Sequence, residues 1–145
     1  MPHRKNSAEF LRGLQEAAAA ITTLQEHWPA AFPKKGHLVR PLVVKVHEPV
    51  ADAIGWSKPY ALAVLRKWKF RTAYCQAVLA HDRRYDLDGA ITEEAVGDVA
   101  RTLARHQLAF KQEAAAKQRR SQAVSAGDAR AASPPDAPAI SPNSG

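Results

Sequence analysis

Apolar residues recur at alternating four- and three-residue steps near the start of this chain, at Phe10, Leu14, Ala17, Ile21, Leu24 and Trp28. That spacing places them on one face of a helix, so the segment can bury itself only against other helices or a sheet. Ser7 reads as the N-cap, and "WPAAFP" stops the helix, giving an expected span of about 8 to 27. The same logic extends along the chain. Ser57 suits an N-cap before a helix over Lys58 to about Lys69 that carries Leu62, Leu65 and Trp68, and another helix is expected over Arg71 to Ala80. Pro49 fits the first turn of a short helix ending near Gly55. "HLVRPLVVKV" is rich in β-branched residues and predicts a buried strand through Leu42, Val43, Val44 and Val46.

The stretch "HDRRYDLDGAITEEA" interrupts the helices and packs acids around a glycine. With Gly89 as the sixth position of a calcium loop, the first would be Arg84 and the twelfth Ala95. A cation in place of the first ligand and a missing final carboxylate exclude that metal. Asp88-Gly89 is instead a tight-turn pair, and "RRYDL" and "AI" flank it as a small hairpin with Asp86 in a structural role. Thr92 then caps a helix with Glu93 and Glu94 in its first turn and Val96, Val99, Leu103 and Phe110 on its buried side, reaching about Arg120. The expected organisation is a disordered leader over 1–6, an α-rich (α+β) domain over 7–120, and a disordered Ala/Ser/Pro-rich tail over 121–145.

The 21 basic and 14 acidic side chains leave a net charge of +7, and its placement is uneven. Residues 31–71 hold nine basic side chains against Glu48 and Asp52, a balance of +7. The other segments, at zero, −2 and +2, cancel. A concentrated basic field draws polyanions, because each neutralised phosphate releases counterions. Catalytic patterns are missing. Six histidines show no zinc spacing, and there is no glycine-rich phosphate loop and no G-x-S-x-G elbow, so no enzyme, metal or cofactor is expected. The single Cys75 reads as a buried structural thiol in a reducing compartment. No apolar run approaches a membrane span and no signal-peptide core follows the start, so a cytoplasmic protein is expected, as a monomer.

Two short helices joined at "KWKFRT" leave a DNA-binding helix-turn-helix open as an alternative, with a basic protein-interaction adaptor as a third class. Trp68 and Phe70 read as core residues rather than as base-stacking platforms.

"HWPAAFP", "RPLVVKV", "WSKPYALAVLRKWKFRTAY" and "RRYDLDG", in this order between about Ala8 and Arg105, resemble the FinO/ProQ family of bacterial RNA chaperones. The resemblance implies a compact helical domain with a small β-hairpin and a basic concave face for structured RNA. It further implies a preference for terminator-like hairpins with single-stranded 3′ tails, protection of small RNAs, and promotion of their pairing with messages. Carried over by position, Tyr74 and Arg84 belong to the pocket for the RNA 3′ end, and Lys58, Arg66 and Arg40 to the RNA face. The family's lysine after Pro-Leu is Val43 here, and Lys45, two residues on along the expected strand, is the candidate replacement. The arginine that often precedes the tyrosine is Ala73 here, with Arg71 as the candidate replacement.

Overall fold

Helix α4, Lys58–Lys69, is the element around which the others assemble. Ser57 starts it: its backbone is extended and its Oγ accepts from Tyr60 N at 3.3 Å, while the same hydroxyl donates to the Glu9 carboxylate. Pro59 adds a fixed φ in the first turn. The computed structural model describes the backbone of residues 2–132 and the side chains of residues 8–124. Around α4 stand α1 (Pro2–Gln15), α2 (Ala17–His27), α3 (His47–Ile54) and α5 (Thr72–Ala80), all in contact with it. A 3-10 turn, Gly36–Leu38, lies against α5. Strands β1 (Arg83–Tyr85) and β2 (Ile91–Ala95) form the antiparallel hairpin, and α6 covers Asp98–Ala132. The fold is α-rich with one small hairpin, as the sequence predicted.

The core is built from Leu24, Phe32, Leu42, Val46, Val50, Leu65 and Trp68, each no more than 1% exposed. Phe32 meets the Trp68 ring edge-on at 5.3 Å, a favoured aromatic geometry. Gly13 lets α1 approach α4 closely: a Cβ there would stand 2.7 Å from Tyr60 O and 2.8 Å from the Ala63 Cβ. Cys75 is buried, as expected, with Sγ 3.1 Å from Gln107 Oε1. No described helix is long and apolar enough to cross a membrane.

Several expectations need correction. The helix read over 8–27 is two helices, parted at Glu16, and the first begins at Pro2, so Ser7 lies inside it. Leu42 to Val46 is no strand. Leu42 makes one isolated bridge, to Tyr85, after which Val44 to Val46 turn into α3. Thr92 sits in β2, and α6 starts at Asp98. Thr92 Oγ1 donates to Arg84 O at 2.7 Å across the hairpin, so its hydroxyl serves a strand and not a helix. On α6 the residues turned inward are Ala100, Ala104 and Leu108, whereas Val99, Leu103 and Phe110 are 84%, 56% and 66% exposed. Leu62 and Phe70 are also exposed, unlike Leu65 and Trp68.

The contacts divide the chain into a unit ending at Leu108 and a second beginning at Ala109, which through Ala132 is helical. The segment expected as a leader is thus helical from Pro2, and the expected boundary at 120 falls within α6. Residues 133–145 of the expected tail lie outside the described residues.

Candidate nucleic-acid interface

The hairpin owes its shape to Asp86. Its Oδ1 accepts from the backbone N–H of Asp88 at 3.0 Å and of Ala90 at 2.9 Å, which closes the turn. Gly89 follows at φ +85°, a backbone region that glycine enters without a steric penalty. The register shifts between the pairs Arg83–Ala95 and Tyr85–Ile91, where Thr92, Glu93 and Glu94 of β2 stand opposite Arg84. On its other side β1 is held by the passing chain: Tyr85 N donates to Pro41 O at 2.7 Å, and Val43 N donates to Tyr85 O at 3.0 Å. Alternation along a strand turns Arg84 to the opposite side from its neighbours, and only Arg84 of the three is buried, at 8% exposure.

Arg84 and Tyr74 meet at Leu42. The Tyr74 hydroxyl accepts from Leu42 N at 3.0 Å, and Arg84 Nη1 donates to Leu42 O at 2.9 Å. A single residue, itself fully buried, is gripped at both its polar backbone atoms. Burial pushes the Tyr74 hydroxyl pKa up, opposed by the Leu42 N–H and the Arg84 charge. On the far side of the guanidinium, Glu94 Oε2 lies 3.4 Å from Arg84 Nε and accepts from Val44 N at 2.8 Å. Arg84 Nε is enclosed and makes no hydrogen bond. Lys69, partly buried at the end of α4, is the second cation here. Its pKa is held down to about 8, first by burial and then by the Arg84 charge, while Glu94 pulls it upward.

An open cleft of about 960 Å³ runs beside this cluster, with Val43, Lys45, Glu48, Arg84, Glu94 and Val99 among its lining residues. Lys45 therefore shares a wall with Arg84, although it reaches that place from a turn and not along a strand. Arg40 is exposed and stacks 5.0 Å over the ring of Tyr85, the residue after Arg84. Arg71 is exposed and precedes α5 as its N-cap residue, with its guanidinium 4.9 Å from the Trp68 ring centre, so it does not share a helical face with Tyr74. Lys58 opens α4, and Arg66, two turns on, packs 5.9 Å from the Phe10 ring. The fold joins Tyr74, Arg84 and Lys45 at one place and puts Arg40 next to them, stacked over Tyr85 of the hairpin. Lys58 and Arg66 stand farther back along α4.

Lys69 and Glu94 also belong to this cluster, Glu94 from a strand and not from the first turn of a helix as the sequence suggests. A signal for Lys69 exists: it is eleven positions beyond Lys58, and eleven residues bring a helix round three turns to within about 20°. For Glu94 there was none, because its place depends on Ile91–Ala95 being a strand.

A model of the ProQ/FinO family matches residues 14–122. The solution structure of a ProQ homolog from Legionella pneumophila is 25% identical, with 60% of this chain and 75% of that one covered and a TM-score of 0.49. The crystal structure of a protein from Neisseria meningitidis MC58, described as a FinO-like RNA chaperone, is 16% identical, with 80% and 94% covered and a TM-score of 0.49. No curated protein matches the chain.

Proposed function

This chain belongs to the ProQ/FinO family, and on that premise we propose that it is a non-enzymatic RNA-binding chaperone. Its ligands are structured RNAs, namely terminator-like hairpins that end in a single-stranded 3′ tail. It protects small RNAs in the bacterial cytoplasm and promotes their pairing with messages, acting as a monomer. The observation that carries the reading is the coincidence of charge and site: the segment with the +7 excess contributes Arg40, Lys45 and Lys69 to the surroundings of Arg84 and Tyr74. Duplex RNA hides its base edges in a deep groove, so proteins address its phosphates, its shape and its unpaired ends. A basic face beside a small cleft suits such a ligand. Arg40, Lys45, Lys58, Arg66 and Arg71 supply phosphate contacts, and Tyr74 and Arg84 hold the 3′ end.

A DNA-reading helix pair is less well supported, because α5 would be the reading helix. It carries no Lys or Arg, and Tyr74, Cys75, Ala77 and Val78 are turned into the core. A major-groove helix needs outward side chains that reach base edges or phosphates.

The test is sequencing of RNA crosslinked to the protein in cells, paired with a salt titration of hairpin binding in vitro. Reads concentrated at hairpin 3′ ends are expected, together with a log–log salt slope that gains about 0.7 to 0.9 per phosphate contact. A slope near zero, or enrichment of double-stranded DNA, overturns the proposal.

A further inference from the structure

The Arg84 cluster carries a charge it does not balance. Arg84 pairs with one carboxylate, Glu94, in a partly enclosed space, and the charge of Lys69 is felt beside both. Buried charge is ordinarily paired and hydrogen-bonded, because desolvation is costly otherwise. Here Arg84 Nε has no hydrogen bond, and the Glu94 Oε2 it faces stands off at 3.4 Å. The Tyr74 hydroxyl accepts from Leu42 N and so keeps its own proton to donate. The deficits are of one kind: the cluster has cations and donors to spare and lacks an anion with several acceptor oxygens.

Glu94 is held there weakly. Its side chain is 40% exposed, against 10% for Arg84, and it projects from a five-residue edge strand whose flanking Glu93 and Ala95 are exposed. Its other contact, with Val44 N, lies at the surface, where water replaces it when the carboxylate turns away. Such a carboxylate is a stand-in for a phosphate, which offers more oxygens to the same donors.

We propose that Arg84 and Lys69 form the seat for one phosphate of bound RNA, that the Glu94 carboxylate fills this seat in the free protein, and that binding exchanges one anion for the other. The inference rests on the RNA-binding reading above and adds to it Lys69 as a contact residue and Glu94 as an internal competitor. Around Lys69 the charged neighbours are Arg84 from β1 and Glu94 from β2, so a phosphate that replaces the carboxylate keeps Lys69 charged.

The experiment measures binding of a GC-rich RNA hairpin with a single-stranded 3′ tail at about 0.15 M salt and pH 7, where surface charges are screened beyond about 8 Å. Glu94→Gln keeps an acceptor for Val44 N and removes the competing charge, so affinity should rise about three- to tenfold. Glu93→Gln removes an equal charge from the adjacent exposed position and should change affinity by less than about twofold. Lys69→Gln should weaken binding about three- to tenfold while melting stays level or rises, because it also removes a cation facing Arg84. Equal gains from Glu93→Gln and Glu94→Gln would reduce the effect to general repulsion and overturn the exchange. So would unchanged or weaker binding by Glu94→Gln, or full affinity in Lys69→Gln. If Glu94→Gln fails to fold, Lys69→Gln decides alone. Failure of the unaltered protein to bind the hairpin overturns the RNA-binding reading, and the inference with it; binding with insensitive variants overturns the inference only.

Discussion

Removing one oxygen atom, in Tyr74→Phe, asks whether the Tyr74 hydroxyl serves the fold, the ligand, or both. In the native protein that hydroxyl is the acceptor for Leu42 N at 3.0 Å. Leu42 is 0% exposed and Tyr74 5%, so water has no access to the N–H once the oxygen is gone. An unsatisfied buried donor costs about 1–3 kcal/mol. Two effects pull the figure apart: the phenol no longer has to be desolvated, and the Arg84 charge loses a dipole that faces it. The balance is expected near 2 kcal/mol, and in a unit ending at Leu108 each kcal/mol lowers Tm by about 4–8 °C. Urea unfolding followed by far-UV circular dichroism gives the stability, with the slope m expected to stay constant. A midpoint within about 0.3 kcal/mol of the parent would refute the claim that Leu42 depends on this hydroxyl. Binding is then measured where the variant remains folded. If the hydroxyl also holds RNA, a hairpin with a free 3′ tail loses more affinity than the same hairpin without its tail. Equal losses would assign Tyr74 to the fold alone.

Two further predictions concern pH and packing. Lys69 titrates near 8 in the folded protein against an ordinary 10.5, so between those values the unfolded chain binds more protons and stability should rise with pH, by up to about 3 kcal/mol. Tyr60, pushed up to about 12 first by burial and then by Glu16, and Tyr74, also raised, act oppositely and should turn the curve down above about pH 10. Chemical denaturation at pH 7.5 and 9.5 checks this: Lys69→Met should abolish the rise, and a rise that survives it would refute the assignment. Gly13→Ala should force α1 from α4 and cost about 1–3 kcal/mol, since Tyr60 O and the Ala63 Cβ occupy the space; an unchanged melting curve would show that the two helices slide apart freely.

Helix α4 was legible to its end residues because three local signals agree: an N-cap serine, proline behind it, and apolar periodicity. The hairpin was legible for the same reason, with Asp86 and Gly89 each suited to its place. Leu42 to Val46 misled because β-branched residues fit a strand, yet burial there follows Leu42, Val46 and Val50, a four-residue step, with Val44 56% exposed. The buried face of α6 misled through size. Val99, Leu103 and Phe110 look like core by volume, but Ala100 and Ala104 face inward, where small side chains permit close approach. Within the site, Tyr74 and Arg84 were reachable only through the family resemblance. Their shared attachment to Leu42 was not, since those contacts span 32 and 42 residues and leave no local trace.

Those separations also set a clock. A chain leaving the ribosome exposes Leu42 well before Tyr74, then Arg84, and last Glu94. At about 5–20 residues per second, the 52 positions from Leu42 to Glu94 take roughly three to ten seconds. Once Lys69 has emerged, α4 can coil and present Lys58 and Arg66, but the Arg84–Glu94 pair cannot form until Glu94 follows. Closing loops of this length costs entropy that grows only slowly with their size, so delay comes from synthesis rather than from search. Until its second strand has emerged and folded back, the nascent chain therefore carries the basic charge of residues 31–71 without the Arg84–Glu94 pair beside it.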